Sequence, residues 1–366
     1  MKIEVVRPGE LGPAELARWQ ELHRSHATRP NPFLSHEFVR AVGEVRDDVF
    51  VAVVGDGSGI AGFFAFERHP RKVGKPVAAG LTDLQGMVYA PDLELDPRSL
   101  LRACDLAVWE FDHLDPGQPM FSAHHKALHP SPVIDLSDGY EAYAKDLAER
   151  SNKIYRSTLK KERRLAREEG EIRFEFDSPD GDALRTLTRW KSAQYRRTGR
   201  QDRFAEPWVV ALIERLHETS TGVFAGTLGL LYAGDRLVAG NFGVRTEEVL
   251  IGWFPAYDVE FARYSPGLIH RLRLCRASAD AGITLMDLGR GEKSYKHSLK
   301  NGELLVAEGR VARPSLAAAA HWAAHEPRRR FTGLVLGTPI LYRTADRAAK
   351  WLGARRTAAS GPAAED

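Results

Sequence analysis

The clearest periodic pattern lies in the second half of the chain. Residues 237–245 and Val249–Tyr257 are apolar-rich runs that read as two successive strands. Leu230-Leu231-Tyr232-Ala233-Gly234-Asp235 leads into the first of these and predicts a hairpin turned at Gly234-Asp235. The pattern then becomes helical: Leu268, Leu272, Cys275 and Ala279 share one stripe, and Gly282 is the stop. Ser265-Pro266-Gly267 opens that helix, a serine N-cap followed by proline at the first helical position. A strand over residues 283–288 then runs into Asp287-Leu288-Gly289-Arg290-Gly291 and Tyr295-Lys296.

A similar order of elements is legible nearer the N-terminus. Residues 51–64 read as strand, Gly-Asp turn and strand, and both hairpins begin their return strand with Ala-Gly or run through it, which points to an internal duplication. Around the first hairpin the pattern predicts a strand over 3–7, helices over Pro13–Arg24 and 35–42, a strand over 86–89 and a helix over 97–111. A bridging helix covers 140–169, with Ser151-Asn152 as an interruption and Gly170 as its stop. A strand over 172–176 and helices over Gly181–Arg197 and 207–219 precede the second hairpin. The expected class is α+β, two tandem lobes that are each a mostly antiparallel mixed sheet flanked by helices. Their expected ranges are 1–134 and 135–312, followed by a basic tail over 313–366 with helices near 316–325 and 341–352.

Composition narrows the class without naming a function. A chain of 366 residues, 43% hydrophobic and 28% charged, has room for two domains and a substantial core. Cys104 and Cys275 have neither metal-ligand nor redox spacing, so a reducing cytoplasm is expected. Met1 leads straight into an amphipathic strand rather than a signal sequence, and no apolar run approaches membrane-spanning length. Net charge is only +3 but uneven: residues 310–356 carry ten basic side chains against Glu326 and Asp346. That tail reads as a solvated basic segment, with contact to anionic lipid, at a peripheral membrane face, to glycan or to nucleic acid as the sharper alternatives. The aromatic and basic patterning of a sequence-specific nucleic-acid reader is missing.

Chemistry concentrates where the helix starts. A proline-started helix after a strand leaves N–H groups that favour an anion, most often a phosphate, so Arg263, Tyr264, Ser265, Pro266, Gly267 and Leu268 are the candidate cofactor-binding residues. Pro255 cannot donate to a sheet ladder and fits an edge or a broken pairing.

These pieces resemble the GNAT acyltransferase superfamily. The resemblance is to its double-domain BioF-like or CelD/BcsL-like acetyltransferases, with the Fem peptidoglycan aminoacyl ligases as distant relatives. It rests on Trp253-Phe254-Pro255-Ala256-Tyr257-Asp258, Tyr264-Ser265-Pro266-Gly267, Asp287-Leu288-Gly289-Arg290-Gly291, Tyr295-Lys296 and the basic run from Lys153 to Arg167. Asn31-Pro32-Phe33 and Asp83-Leu84-Gln85-Gly86 add weaker support. The resemblance implies two neighbouring strands that splay apart, with the pantetheine arm of an acyl-CoA, such as acetyl-CoA, in the gap as co-substrate; no permanently bound cofactor or metal is expected. The one-glycine run Arg263-Tyr264-Ser265-Pro266-Gly267 departs from the superfamily's glycine-rich pyrophosphate loop, which leaves acyl-CoA, an acyl carrier protein and a charged tRNA open as donors. One donor site is expected, in the second lobe, with a degenerate first lobe shaping the acceptor groove.

Acyl transfer from a thioester needs an oxyanion partner, a base for the acceptor and a proton for the leaving thiolate. Asp287 is the candidate base or acceptor clamp, set against a plain turn-forming role. Lys296 is a candidate for neutralising a phosphate or oxyanion, set against a solvated cation, and Tyr257 is a candidate proton donor. Trp253, Arg290, Tyr295, Lys153 and Arg156 are the candidate substrate-binding residues, although Trp253 fits packing better than stacking. Lys153 and Arg156 belong to a basic run that is either a solvated face or a wall for a nucleotide-sugar or lipid diphosphate. His270 falls on the polar helix face and is expected to be exposed, His297 lacks a visible partner, and His113, His124, His125 and His129 read as loop histidines rather than metal ligands.

The function expected from the resemblance is a cytoplasmic acyltransferase, peripheral at the inner membrane face through its tail. It would act on an amino or hydroxyl group of a saccharide, lipid-linked saccharide or other envelope or exopolysaccharide precursor. A tRNA-dependent Fem-like ligase and a non-catalytic glycan- or membrane-associated scaffold are the alternatives.

Overall fold

A computed structural model describes residues 1–25, 29–57, 59–291, 294–315 and Ala318. The helices expected near 316–325 and 341–352 lie outside the described residues, as does nearly all of the basic tail.

The strands are β1 (Lys2–Val6), β2 (Val49–Gly55), β3 (Ile60–His69), β4 (Val73–Lys75), β5 (Val88–Tyr89), β6 (Val108–Leu114), β7 (His125–Asp135), β8 (Ile172–Glu175), β9 (Ala225–Ala233), β10 (Arg236–Arg245), β11 (Val249–Tyr257), β12 (Leu285–Asp287) and β13 (Gly302–Ala312). The helices are α1 (Pro13–Arg24), α2 (His36–Val45), α3 (Pro97–Ala103), α4 (Gly139–Arg150), α5 (Asn152–Glu169), α6 (Gly181–Arg197), α7 (Pro207–His217), α8 (Pro266–Asp280) and α9 (Ser294–Leu299). Local chemistry explains many of the boundaries. Proline stands at the start of α1, α3, α7 and α8, and the Asp180 side chain caps α6 by accepting from the N–H groups of Asp182 and Ala183. The bridging helix breaks at Ser151, as its Ser-Asn pair predicted.

Two separate sheets were expected, and the structure corrects this to one. The strands join edge to edge in the order β1-β2-β3-β4-β6-β13-β7-β12-β11-β10-β9-β8, with β5 attached to β3. The halves mirror each other across its middle. In each, an antiparallel meander (β1-β2-β3-β4 and β8-β9-β10-β11) ends on a strand with a parallel neighbour, β4 beside β6 and β11 beside β12. The halves then exchange strands. β7 pairs with β12, while β13, the last strand among the described residues, pairs with both β6 and β7. The expected helix over 97–111 is a second correction: α3 ends at Ala103, and Trp109 and Phe111 lie on β6, buried against Phe121 and Phe64.

Contact between the halves goes beyond the sheet. Trp253 of β11 packs edge-on against Phe33 and Phe38, with ring centroids 5.3 and 6.0 Å away, and its indole N–H donates to the Leu81 carbonyl at 2.7 Å. A half-buried aromatic with its one donor satisfied ties the two halves together. Among the described residues no helix is long and apolar enough to cross a membrane.

Candidate active site

β11 and β12 form a fork. They pair only at Val249–Leu285, Leu250–Met286 and Ile251–Asp287, whereas β11 stays paired with β10 as far as Tyr257. Residues 252–257 therefore leave one edge unpaired, a stretch of roughly 16 Å at strand rise. A cavity of about 260 Å³ opens along this edge, lined by Pro255, Ala256 and Tyr257 on the strand, Lys191 and Gln194 on α6, and Ser265, Gly267, Leu268 and Arg271 around the start of α8. Lys191 is buried and donates to the outward-facing carbonyl of Pro255 at 2.8 Å.

The start of α8 faces the cavity without a side-chain cap. Ser265 adopts a left-handed conformation (φ 54°), and its hydroxyl accepts instead from Lys161 Nζ on α5 at 2.8 Å. Leu268 N–H returns to the Ser265 carbonyl, Pro266 has no N–H, and the Gly267 N–H makes no hydrogen bond among the described residues. An open amide beside an ammonium group suits an anion.

The expected cofactor-binding run divides. Ser265, Gly267 and Leu268 line the cavity and Pro266 is buried beneath it, but Arg263 and Tyr264 turn away. The Tyr264 ring is fully buried beside Phe261, its hydroxyl donates to Glu168 at 2.7 Å, and Arg263 pairs with Glu169 at 3.1 Å. Both side chains tie the turn to the end of α5. Tyr257 and Tyr295 line the cavity, Trp253 is spent on the interlock, and Lys153 and Arg156 stand exposed on α5.

At the crotch of the fork sits Asp287, 2% exposed. Its Oδ1 accepts from Gly289 N–H at 2.7 Å and from the Ser131 hydroxyl at 3.3 Å. Burial and then the charge of Asp83 push its carboxyl up to about 7, against the pull of the Gly289 N–H, Ser131 and Lys296. Lys296 is buried too, and its ammonium holds the turn after β12 by donating to the Gly289 carbonyl at 2.7 Å. Gly289 has φ +70°, and a Cβ there would lie 2.8 Å from the Asp83 carboxylate, so only glycine lets the first half approach this closely.

Asp83 was not foreseen as a site residue, although its tetrapeptide Asp83-Leu84-Gln85-Gly86 stood out. It brings further groups with it. Burial raises the Asp83 carboxyl. His113 Nδ1 lies 3.0 Å from Asp112 Oδ1; burial opposes its protonation, but Asp112 and Asp83 outweigh this and raise its proton affinity. Gln85 donates to Asp112 at 2.7 Å and accepts from the N–H groups of Asp112 and His113, filling the first half's own fork between β4 and β6. Arg290 Nη1 reaches the Asp112 carbonyl at 3.3 Å.

His270 corrects the expected exposure. It is buried, its Nε2 lies 3.0 Å from the Gly229 carbonyl, and burial pushes its imidazole down to about 3. His270 lies on the side of α8 that packs on the sheet, while Arg276 and Asp280 are the helix residues exposed to water. His113, His125 and His129 are strand rather than loop residues, and His297 is exposed.

Comparison with known proteins falls in line with this geometry. Solved structures show the same architecture. FemX superposes with a TM-score of 0.61 at 11% identity, covering 89% of this chain and 100% of that one. A tandem GNAT protein from the clavulanic acid biosynthesis pathway gives 0.50 at 10% identity, covering 86% and 100%. The C-terminal domain of a putative lysylphosphatidylglycerol synthetase from Agrobacterium fabrum gives 0.50 at 12%, covering 84% and 94%. Residues 153–297 match the family model described as an acetyltransferase (GNAT) domain. That matched stretch includes the fork and α8. No curated protein sequence matches the chain.

Proposed function

We propose that the protein is an acyltransferase that takes an acyl group from acyl-CoA and passes it to an amine or hydroxyl of a saccharide or envelope precursor. One observation carries the reading: an open strand edge, an uncapped helix start and a buried carboxylate titrating near neutrality meet at one fork. The diphosphate of the donor would sit at the Gly267 N–H beside Lys161, and its amide-bearing arm along residues 252–257. Backbone N–H groups on that edge would receive the carbonyl oxygen as negative charge develops. The acceptor would attack the thioester carbon, its proton passing to the Asp287 carboxylate. The C–S bond then breaks and the thiolate takes a proton, with Tyr257 and Tyr295 as the nearby hydroxyl donors.

A covalent enzyme intermediate is disfavoured. Cys104 and Cys275 are buried, and burial pushes both thiols up to about 12, far from a reactive thiolate. In this reading the enzyme acts in the cytoplasm, with the basic tail 313–366 contacting the anionic membrane face.

A thermal-shift series with CoA, acetyl-CoA and longer acyl-CoAs tests the proposal. Bound donor raises the apparent Tm with its concentration, and Gly267→Val at the cavity mouth removes the shift. No shift at millimolar CoA sinks it. The likeness to FemX over nearly the whole of both chains favours a second reading, a Fem-like ligase using aminoacyl-tRNA. Transfer that requires charged tRNA and proceeds without CoA would select that reading.

A further inference from the structure

The cavity contains a charge that the reaction above does not use. Arg271, on α8, is 3% exposed and lines the cavity. Its Nη1 has no hydrogen-bond partner, and no carboxylate pairs with its guanidinium among the described residues. Arginine keeps its charge in proteins, so burying it without a counter-ion is expensive. Among the described residues lining the cavity there is no aspartate or glutamate.

Position separates Arg271 from the diphosphate end. At the mouth, a β-carbon on Gly267 would meet the Tyr257 ring at 3.5 Å; at the inner end, the Arg271 guanidinium packs directly over Gly252, where a β-carbon would collide with it. Gly252 is the first residue past the last β11–β12 pair, next to the Ile251–Asp287 rung. Arg271 thus stands one turn along α8 from Gly267, about 6 Å of rise, and its guanidinium reaches the strand residue next to the crotch of the fork, the acyl end of the cleft.

We infer that Arg271 selects the acyl group, and that the preferred donor carries a carboxylate on its acyl chain, as a dicarboxylic acyl-CoA does. The inference rests on the acyl-CoA reading above. A carboxylate matches the forked donors of a guanidinium and supplies on binding the counter-charge the cavity lacks. A thioester carbonyl supplies only a transient partial charge, which the free N–H groups of the β11 edge can receive.

The test is equilibrium binding of succinyl-CoA and butyryl-CoA, equal in chain length and different in charge, to the full-length protein and to Arg271→Met and Arg271→Lys. Wild type is expected to bind succinyl-CoA at least about tenfold tighter, equivalent to about 1.4 kcal/mol. Arg271→Met brings the ratio close to one, and Arg271→Lys keeps part of the preference, which separates loss of charge from loss of fold. Equal affinity of wild type for the two thioesters overturns the inference while leaving the acyl-CoA reading intact. So does a uniform loss for both thioesters in Arg271→Met, which would assign the guanidinium to the thioester itself. Binding of neither thioester overturns both.

Discussion

Asp287→Asn should make the protein more stable at alkaline pH while abolishing activity. The carboxyl of Asp287 is moved from an ordinary 3.8 to about 7, burial being the largest cause. At about 1.4 kcal/mol per decade of proton affinity, holding the ionised form in this site costs on the order of 4 kcal/mol. Water penetration and relaxation with Asp83 make that an upper bound, so about 2 kcal/mol is the size to expect. The sign follows from proton binding. Between about pH 4 and pH 7 the folded protein keeps a proton that the unfolded chain releases. The stability contributed by the protonated form is complete below about pH 4, is lost as pH rises, and is gone above about pH 7. Asparagine keeps an oxygen for the Gly289 N–H and the Ser131 hydroxyl but does not titrate. Urea denaturation from pH 4.5 to 8.5 should therefore show the variant's advantage growing with pH and levelling above neutrality. A difference between variant and wild type that stays flat, or falls, across that range refutes the reasoning. Destabilisation kept where it serves chemistry is a signature of a functional site.

Asp83→Asn removes the second-largest cause of Asp287's raised proton affinity, so the acid limb of the kcat/KM profile should move down by about half a unit to one unit. An unmoved limb would remove Asp83 from the site. Lys161→Ala should weaken CoA about three- to tenfold in calorimetric titration, with the loss shrinking at high salt; a salt-independent loss would point to a structural role for the Lys161–Ser265 contact. Trp253→Ala deletes the aromatic interlock and leaves the Leu81 carbonyl without its donor, which should cost about 3–5 kcal/mol in denaturation. A loss below about 1 kcal/mol would mean that the halves are held by the sheet alone.

Much of this protein's local form is written in short stretches of its chain. β11, α1 and α6 occupy the ranges their sequence predicts, because an apolar β-prone run, proline at the first turn and a capping aspartate act within a few residues. Pro255 and Pro266 likewise marked the open edge and the helix start, since a missing N–H is a property of the residue itself, but the serine cap expected at Ser265 does not form because its hydroxyl accepts from Lys161 instead. Tertiary structure decided the rest. β7 and β13 have weak patterns of their own and become strands by pairing with partners more than a hundred residues away, and that exchange merges two expected sheets into one. His270 was expected on a water-facing side of its helix, yet it turns to the Gly229 carbonyl of the sheet and is buried, as is its neighbour Arg271. Asp83 meets Asp287 only because Gly289 lets the first half close over the fork. Periodicity records how a residue relates to its neighbours along the backbone; burial, proton affinity and an unpaired charge depend on what approaches from elsewhere in the chain.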